Sequence, residues 1–387
     1  MLAANRSGNK EASHWHRWLD RYIGIPITAL AHLVRAKRTL PVQIRRIALI
    51  KGDGMGDLVM LTGPLQDLRQ AFPSAQISLW AGRSVAPLAR ELTSLDEVHL
   101  VDFKRPWRVV WKLRAWRADV VIDTGQWSRA EALLTGLSGA HFAIGFQTAG
   151  QHRHWLYDAR VAHRSDRHEL ENFRALLGPL GVRSTSMPHL MVESSVEQTA
   201  ISTPYIVFHM WPSGVKYAHL KRWPERYWAS LSEACIERGR RVVITGARQD
   251  VDLSNRWMAR FGDANWSENR TGVSIRETIF VLQNAEAVVS VNTGIVHLAA
   301  CLGVPTIDLH GPTNAERCQA IGQRVIALQV PPPDGAYLHL GSEYPVDANS
   351  RKGLETIEVY DVLQALIRLL PGFQATEQSE ILETLEV

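Results

Sequence analysis

The stretch Val291-Asn292-Thr293-Gly294-Ile295-Val296-His297-Leu298-Ala299-Ala300 decides how this chain is read, together with Gly303-Val304-Pro305 and His310-Gly311-Pro312-Thr313 beyond it. The apolar run Ala287 to Val291 has the character of a buried strand, and Asn292-Thr293-Gly294 breaks it. Ile295 to Leu302 then follows a helical pattern, which places the N–H groups of Thr293 and Gly294 at a helix N-terminus. Such N–H groups lack intrahelical acceptors and the helix dipole adds positive potential, so an anion such as a nucleotide diphosphate fits there. His297 lies one turn inside, and the Gly311-Pro312-Thr313 turn follows the next strand, able to close over the same ligand. A plain strand-to-helix turn with a histidine at the core's edge would use the same residues, so this stretch alone leaves both readings open.

A second turn lies near the other end. Ile47-Ala48-Leu49-Ile50 reads as a strand, Lys51-Gly52-Asp53-Gly54-Met55-Gly56-Asp57 as a glycine-rich turn, and Leu58 to Ala71 as a helix. Glycine removes side-chain bulk, so a ligand can approach the backbone at Gly54 and Gly56. The order G-x-G-x-G-D is neither the G-x-G-x-x-G of a dinucleotide site nor the G-x-x-x-x-G-K-[ST] of a P-loop. It presents instead a carboxylate, Asp57, at the start of a helix, where it serves either as a cap or as a general base.

With both turns in place the chain resembles glycosyltransferase family 9, the family of the lipopolysaccharide heptosyltransferases. Three motifs carry the resemblance, in the family's order. They are Gly56-Asp57 with the helix ending at Ala71-Phe72-Pro73; Lys221-Arg222-Trp223-Pro224, similar to a K-x-W-P element that reaches donor phosphate; and N-T-G-x-x-H-L-A-A-x-L-G-V-P-T from Asn292 to Thr306 with Gly311-Pro312-Thr313 beyond. The resemblance covers roughly Arg45 to Leu370. It implies two facing Rossmann-like, doubly wound domains in the GT-B arrangement, the acceptor held mainly by the first and the nucleotide sugar by the second. It also implies inverting, metal-independent transfer of heptose or a related sugar from a nucleoside diphosphate sugar, ADP-heptose among the candidates, to lipopolysaccharide or another cell-surface glycan. No cofactor beyond that co-substrate is expected.

Glycosyl transfer needs a base for the acceptor hydroxyl and positive charge for the leaving diphosphate. Asp57 is the candidate base, with Gly54 and Gly56 in the acceptor loop; Lys221, Thr293, Gly294 and His297 are candidates for the diphosphate. Ser213 and the Gly214 N–H, with Lys216 assisting, are further phosphate candidates, although a simple turn explains them equally. Asp250 matches a family position where Glu contacts the nucleoside, and it also suits dipole compensation at a helix start. Asp250-Val251-Asp252 resembles a D-x-D metal motif but continues a helical pattern, so no metal is assigned to it. Heptosyltransferases usually carry Asp where this chain has Asn292, a position that touches the donor sugar. An amide both donates and accepts whereas a carboxylate only accepts, so the donor need not be ADP-heptose. Arg83, Lys104, Arg105 and Arg108 suit either an anionic lipid-linked glycan or a solvated surface.

A chain of 387 residues with 45% hydrophobic residues suits two domains with sizeable cores. Cys235, Cys301 and Cys318 are scattered without C-x-x-C spacing, which points to a reducing compartment and away from disulfides or zinc. No cleavable signal pattern or membrane-spanning run is read, so a cytoplasmic protein is expected, peripheral on the inner face of the cytoplasmic membrane if its first segment binds there. That segment carries Arg6, Lys10, Arg17, Arg21, Arg35, Lys37, Arg38, Arg45 and Arg46 among aromatic and aliphatic residues, against only Glu11 and Asp20. It suits a helix on an anionic membrane or one packed on the body. No nucleic-acid-reading module is present, so nucleic acid is not an expected partner.

The expected division is a basic arm over 1–44, an acceptor domain over 45–182, a linker over 183–202, a nucleotide-sugar domain over 203–370 and an acidic tail over 371–387. Strands are expected at Ile77 to Trp80, Glu97 to Val101, Asp119 to Ile122, Tyr205 to His209, Arg241 to Thr245 and Thr306 to Leu309, separated by helices. Two other classes of function share such a layout: a sugar-nucleotide epimerase or hydrolase, and a non-catalytic binder of nucleotide sugars.

Overall fold

Apolar runs closed by glycine-rich turns form the central strands of two parallel sheets in the computed structural model, which describes residues 24–33, 38–190, 201, 204–212, 218–332, 335 and 353–373. The chain divides into two compact units, Met1–Val192 and Glu193–Val387.

The first unit runs α1 (Gly24–Leu33), β1 (Arg46–Lys51), α2 (Met55–Ala71), β2 (Gln76–Ala81), α3 (Ala86–Ala89), β3 (Glu97–Leu100), α4 (Pro106–Trp116), β4 (Val120–Asp123), α5 (Arg129–Leu137), β5 (Phe142–Gln147), β6 (Ala159–Ala162) and α6 (Glu169–Ala175). Its strands lie in the order β3-β2-β1-β4-β5-β6. Ile47 sits between Ile77 of β2 and Val120 of β4, and every residue of β1 after Arg46 is buried. Helices cover both faces of such a strand, which is why it reads as a continuous apolar run. Strand order reverses between β1 and β4, so the ligand crevice of this unit opens beyond their carboxyl ends.

The second unit repeats the plan. It runs β7 (Tyr205–His209), α7 (Glu225–Glu237), β8 (Arg241–Gly246), α8 (Val251–Phe261), β9 (Ser267–Thr271), α9 (Ile275–Gln283), β10 (Ala287–Val291), α10 (Gly294–Cys301), β11 (Thr306–His310), α11 (Ala315–Cys318), β12 (Val325–Gln329) and α12 (Val359–Leu369). The order is β12-β11-β10-β7-β8-β9, with its reversal between β7 and β10. Trp223 and Trp228 meet edge to face at 4.9 Å within the core beneath α7. The Trp223 indole N–H donates to the Ile357 carbonyl at 2.8 Å, which satisfies the ring's one polar atom.

The expected strands are present to within two residues at each end. Four strands were not expected, β5, β6, β9 and β12, and neither were the helices α3, α6, α11 and α12. Three of the strands lie at sheet edges, and β9, Ser-Glu-Asn-Arg-Thr, contains no apolar residue and pairs only with β8.

Two of the expected segments make contacts within the first unit. Within the expected linker, residues 184–189 form a strap on α2. The Asp67 carboxylate accepts hydrogen bonds from Ser184 Oγ at 2.6 Å, Thr185 N at 2.8 Å and Ser186 N at 3.0 Å, and His189 N donates to Thr62 Oγ1 at 3.2 Å. The described part of the arm also belongs to the body. Helix α1 packs against α5, Thr28 is buried, and His32 Nδ1 lies 2.7 Å from the Trp155 carbonyl, while Arg38 Nη1 donates to Ala140 O at 2.7 Å. Residues 1–23 and the tail from 374 lie outside the described residues.

Candidate active site

In the first unit the turn after β1 is shaped by Gly54. Its φ of +81° is left-handed, and a Cβ there would stand 2.7 Å from Asp57 Oδ2, so the position requires glycine on both counts. The Gly54 carbonyl accepts the Leu58 N–H at 3.0 Å, so the helix starts at Met55, with Gly56 and Asp57 inside its first turn. Asp57 therefore does not cap. Its Oδ2 instead accepts a hydrogen bond from Lys51 Nζ at 2.8 Å; Lys51 is buried and Asp57 is 27% exposed.

A buried polar network surrounds this pair. Glu131, in the first turn of α5, accepts the Gly52 N–H, and a Cβ at Gly52 or Gly125 would collide with its carboxylate. The turns after β1 and β4 thus carry glycine to make room for Glu131. Asp123, the last residue of β4, pairs with Arg153 Nη2 at 2.6 Å and accepts the Tyr157 hydroxyl at 2.5 Å, all three side chains being buried. Burial drives the Glu131 carboxyl up to about 7, with Asp123 adding to the rise and Lys51 and Arg153 opposing it. Burial alone would lower the Lys51 ammonium, but Asp57, Glu131 and Asp53 outweigh it and hold Lys51 above its ordinary value. Sequence reasoning passed over Lys51, Asp123, Glu131 and Arg153. The available signal was a charged residue closing each buried apolar strand, Lys51 after Ile47–Ile50 and Asp123 after Val120–Ile122.

In the second unit Thr293 is the N-cap of α10. Its backbone is extended, it makes no side-chain cap bond, and its buried Oγ1 has no hydrogen-bond partner among the described residues. Gly294 opens the helix, whose first turn carries no acidic side chain, and His297 is buried one turn in. Below them, in β11, Asp308 Oδ2 and His310 Nε2 form a fully buried ion pair at 2.7 Å. Burial opposes both charges, yet the pairing holds the His310 imidazolium well above the usual histidine range, and His310 together with His297 holds Asp308 below the carboxylate range.

Asn292 is tied to this pair. Its Nδ2 stands 3.2 Å from Asp308 Oδ1 and 3.3 Å from both Asp308 Oδ2 and the Cys318 carbonyl. A carboxylate only accepts, so the amide must turn its NH₂ toward Asp308 and keep Oδ1 for other partners; the weak Cys318 Sγ donor lies 3.9 Å from that oxygen. The Oδ1 of Asn292 is thus left as an acceptor, with the hydrogen-bond polarity of a carboxylate and none of its charge.

Lys221 closes a 3-10 turn, Ala218–Lys221, beside the same cluster: burial lowers its ammonium, while Cys318 and Asp308 pull it back up. The Gly311-Pro312-Thr313 turn is buried rather than poised over open space. A Cβ at Gly311 would stand 3.2 Å from the Leu220 carbonyl, Gln329 Nε2 donates to Gly311 O at 3.0 Å, and Thr313 Oγ1 lies 3.2 Å from His310 Nδ1. The fold therefore gathers Lys221, Asn292, Thr293, Gly294, His297 and this turn at the carboxyl ends of β10 and β11.

Asp250 is engaged elsewhere. Its carboxylate accepts the Ala247 N–H at 2.9 Å in the turn that leads into α8, as a capping group does, and burial raises it. Asp252 is exposed on α8. His209, at the end of β7, is lowered to about 4 by burial, so the imidazole there is neutral. Ser213, Gly214 and Lys216 lie outside the described residues, and among the described residues no three His, Cys, Asp or Glu side chains are placed to hold a metal ion.

Two units of Rossmann order, one with a held carboxylate in the first turn of the helix after its switch-point strand and the other with a helix N-terminus at that place, make a two-domain α/β protein of the GT-B fold type. The chain belongs to glycosyltransferase family 9 (heptosyltransferase), which its residues 107–342 match, and the protein is a glycosyltransferase. That match begins beyond the Gly52–Asp57 loop. Lipopolysaccharide heptosyltransferase 1 of Salmonella typhimurium is 28% identical over 324 residues, covering 77% of this chain and 98% of that protein. Its namesake in Escherichia coli K12 is 26% identical over 311 residues, 74% and 94% of the two chains. Among solved structures, E. coli ADP-heptose lps heptosyltransferase II aligns with a TM-score of 0.69 at 21% identity, over 84% of this chain and 98% of that one. E. coli heptosyltransferase WaaC with ADP-2-deoxy-2-fluoro heptose aligns at 0.63 and 22%, over 84% and 99%.

Proposed function

We propose that this glycosyltransferase moves heptose from ADP-heptose to the core of a lipopolysaccharide, by a single inverting displacement that uses no metal ion, on the cytoplasmic face of the membrane carrying the acceptor. The observation that carries the reading is the Lys51–Asp57 pair at the switch point of the first unit: a buried ammonium fixes one carboxylate oxygen and leaves Oδ1 for a substrate proton. As the acceptor oxygen attacks the anomeric carbon, its proton passes to Asp57 and the bond from that carbon to the diphosphate oxygen breaks. General-base help of this kind is worth about 10²–10⁴-fold. The departing diphosphate gains negative charge, which Lys221 and the N–H groups at the start of α10 stabilise. Attack on the face opposite the leaving group inverts the anomeric centre. Asn292 Oδ1 accepts a hydroxyl proton of the donor sugar, as the carboxylate usual in the family would, so the polarity of Asn292 favours the same kind of donor.

The test incubates the purified chain with ADP-heptose in the presence of a chelator, with and without a lipopolysaccharide core acceptor, and reads ADP release, product mass and anomeric configuration. ADP should appear only with acceptor, and the new bond should carry the inverted configuration. Donor consumption without acceptor would replace this reading with that of a hydrolase or epimerase.

A further inference from the structure

Helix α4 carries an outer face that water alone does not suit. Val109 and Leu113 are buried and seat the helix on the first unit, whereas Trp107 is 59% exposed and Trp111 is 73% exposed. Their four-residue spacing stacks the two indoles along one stripe. Lys104, Arg105, Arg108 and Lys112 are all exposed around them, and no Asp or Glu occurs from Phe103 to Ala118. A solvated helix face usually interleaves both signs of charge and keeps large apolar rings inside. Paired tryptophans flanked only by cations have another natural environment, the boundary between lipid headgroups and acyl chains, where the rings are half-buried and the cations meet phosphate. Helix α5 packs against both α4 and α1, and α1 leaves Ile27 and Leu30 exposed.

We propose that the outer face of α4 docks this enzyme on an anionic bilayer, Trp107 and Trp111 entering the headgroup boundary while Lys104, Arg105, Arg108 and Lys112 pair with lipid phosphates. The inference goes beyond sugar transfer and uses neither Asp57 nor the donor site. It also moves the surface-seeking element away from the described part of the N-terminal arm, which is packed on the body. No helix among the described residues is long and apolar enough to cross a membrane, so α4 acts from the surface.

The full-length chain is sedimented with vesicles of phosphatidylcholine alone and with vesicles rich in phosphatidylglycerol, without donor or acceptor. Binding is expected to the anionic vesicles and to fall at high salt, because screening weakens exposed charge pairs. Trp107→Ser with Trp111→Ser should weaken partition about ten-fold or more at unchanged melting temperature, since large interfacial rings are lost without touching the core. Lys104→Gln, Arg108→Gln and Lys112→Gln together should weaken it on the order of a hundred-fold, about five-fold for each charge. Brominated acyl chains should quench tryptophan fluorescence in the parent chain and less in the double serine variant. Failure of the parent to bind anionic vesicles overturns the proposal. So does wild-type partition by both sets of variants, which would place docking on another surface. Release from vesicles by a soluble phosphorylated oligosaccharide acting through the tryptophan pair would also overturn it, by making the face a glycan subsite.

Discussion

In the first unit the turn that leaves β1 carries a carboxylate held by a buried ammonium; in the second, the turn that leaves β10 carries a neutral amide and a helix N-terminus, with the carboxylate withdrawn into β11 beneath it. Strand order is the same in both. The ends of the two leading strands differ in the same sense: Lys51 closes β1 as a charged group, whereas His209 closes β7 as a neutral one. A shared fold therefore fixes where ligands bind, and a few residues at those points fix what is done to them. The first crevice can take up a proton. The second can receive developing negative charge.

The sharpest way to break this division is at Asp57. Asp57→Asn keeps the shape and can still meet Lys51 through its amide oxygen, but it cannot accept the acceptor's proton. Single-turnover transfer should slow by about 10²–10⁴-fold while donor affinity stays nearly unchanged, because the loss belongs to the transition state. Asp53→Asn, in the same turn, should cost much less; a larger loss there would move the base to Asp53. On the opposite side of the comparison, Lys221→Ala should weaken ADP and donor binding by about 1.5–3 kcal/mol, as expected for a lost charge-assisted hydrogen bond, and adenosine binding little. Calorimetry with both ligands separates the two cases, and equal losses would indicate damage to the packing around Trp223.

Most strands legible in the sequence have two covered faces, although β5, buried between β4 and β6, was not read and the edge strand β3 was. β1, β4, β7, β10 and β11 are buried apolar runs ended by polar turns, and the strand order reverses between β1 and β4 and between β7 and β10. Three of the four edge strands were hidden, because a strand such as β9 is held by backbone pairing and needs no apolar pattern. The site divided along similar lines. Asp57, Lys221, Asn292 and His297 stand in motifs, but the groups that set their behaviour come from elsewhere in the chain: Glu131 lies 79 positions from the Gly52 N–H that it accepts, and Asp308 lies 16 beyond Asn292. Contacts of that kind are made by the sheet, and no local pattern announces them.

Glu131 sharpens the comparison through pH. Its carboxyl rises from 4.5 to about 7 in the folded chain, so the fold holds this proton to higher pH than the unfolded chain does. The associated stability is present below about pH 4.5 and is lost as pH rises through about 7. Glu131→Gln keeps an acceptor for the Gly52 N–H and removes the titration. The melting temperature of Glu131→Gln relative to the parent should therefore climb between pH 5 and pH 8, by an amount equivalent to about 2 kcal/mol. A flat difference would mean that Lys51 and Arg153 keep Glu131 ionised throughout.

The smallest effect tests why the second unit presents an amide. Asn292→Asp would place a second carboxylate beside Asp308, where Asn292 Nδ2 now stands 3.2 Å from Oδ1, and two like charges at that separation repel. ADP-heptose affinity should fall on the order of ten-fold, with a lower melting temperature. Adding Asp308→Asn reverses the arrangement: the amide moves to β11 and the carboxylate to the turn. Asn292 Nδ2 lies 3.5 Å from His310 Nε2, so a carboxylate at that position can still serve as the counter-ion of the imidazolium. The double variant should recover most of the lost affinity and stability, and the coupling between the two sites should be of the size found for neighbours in one hydrogen-bond network, about 0.5–3 kcal/mol. Additive losses would show that Asp308 does not orient the Asn292 amide, and that the acceptor polarity of Oδ1 has another origin.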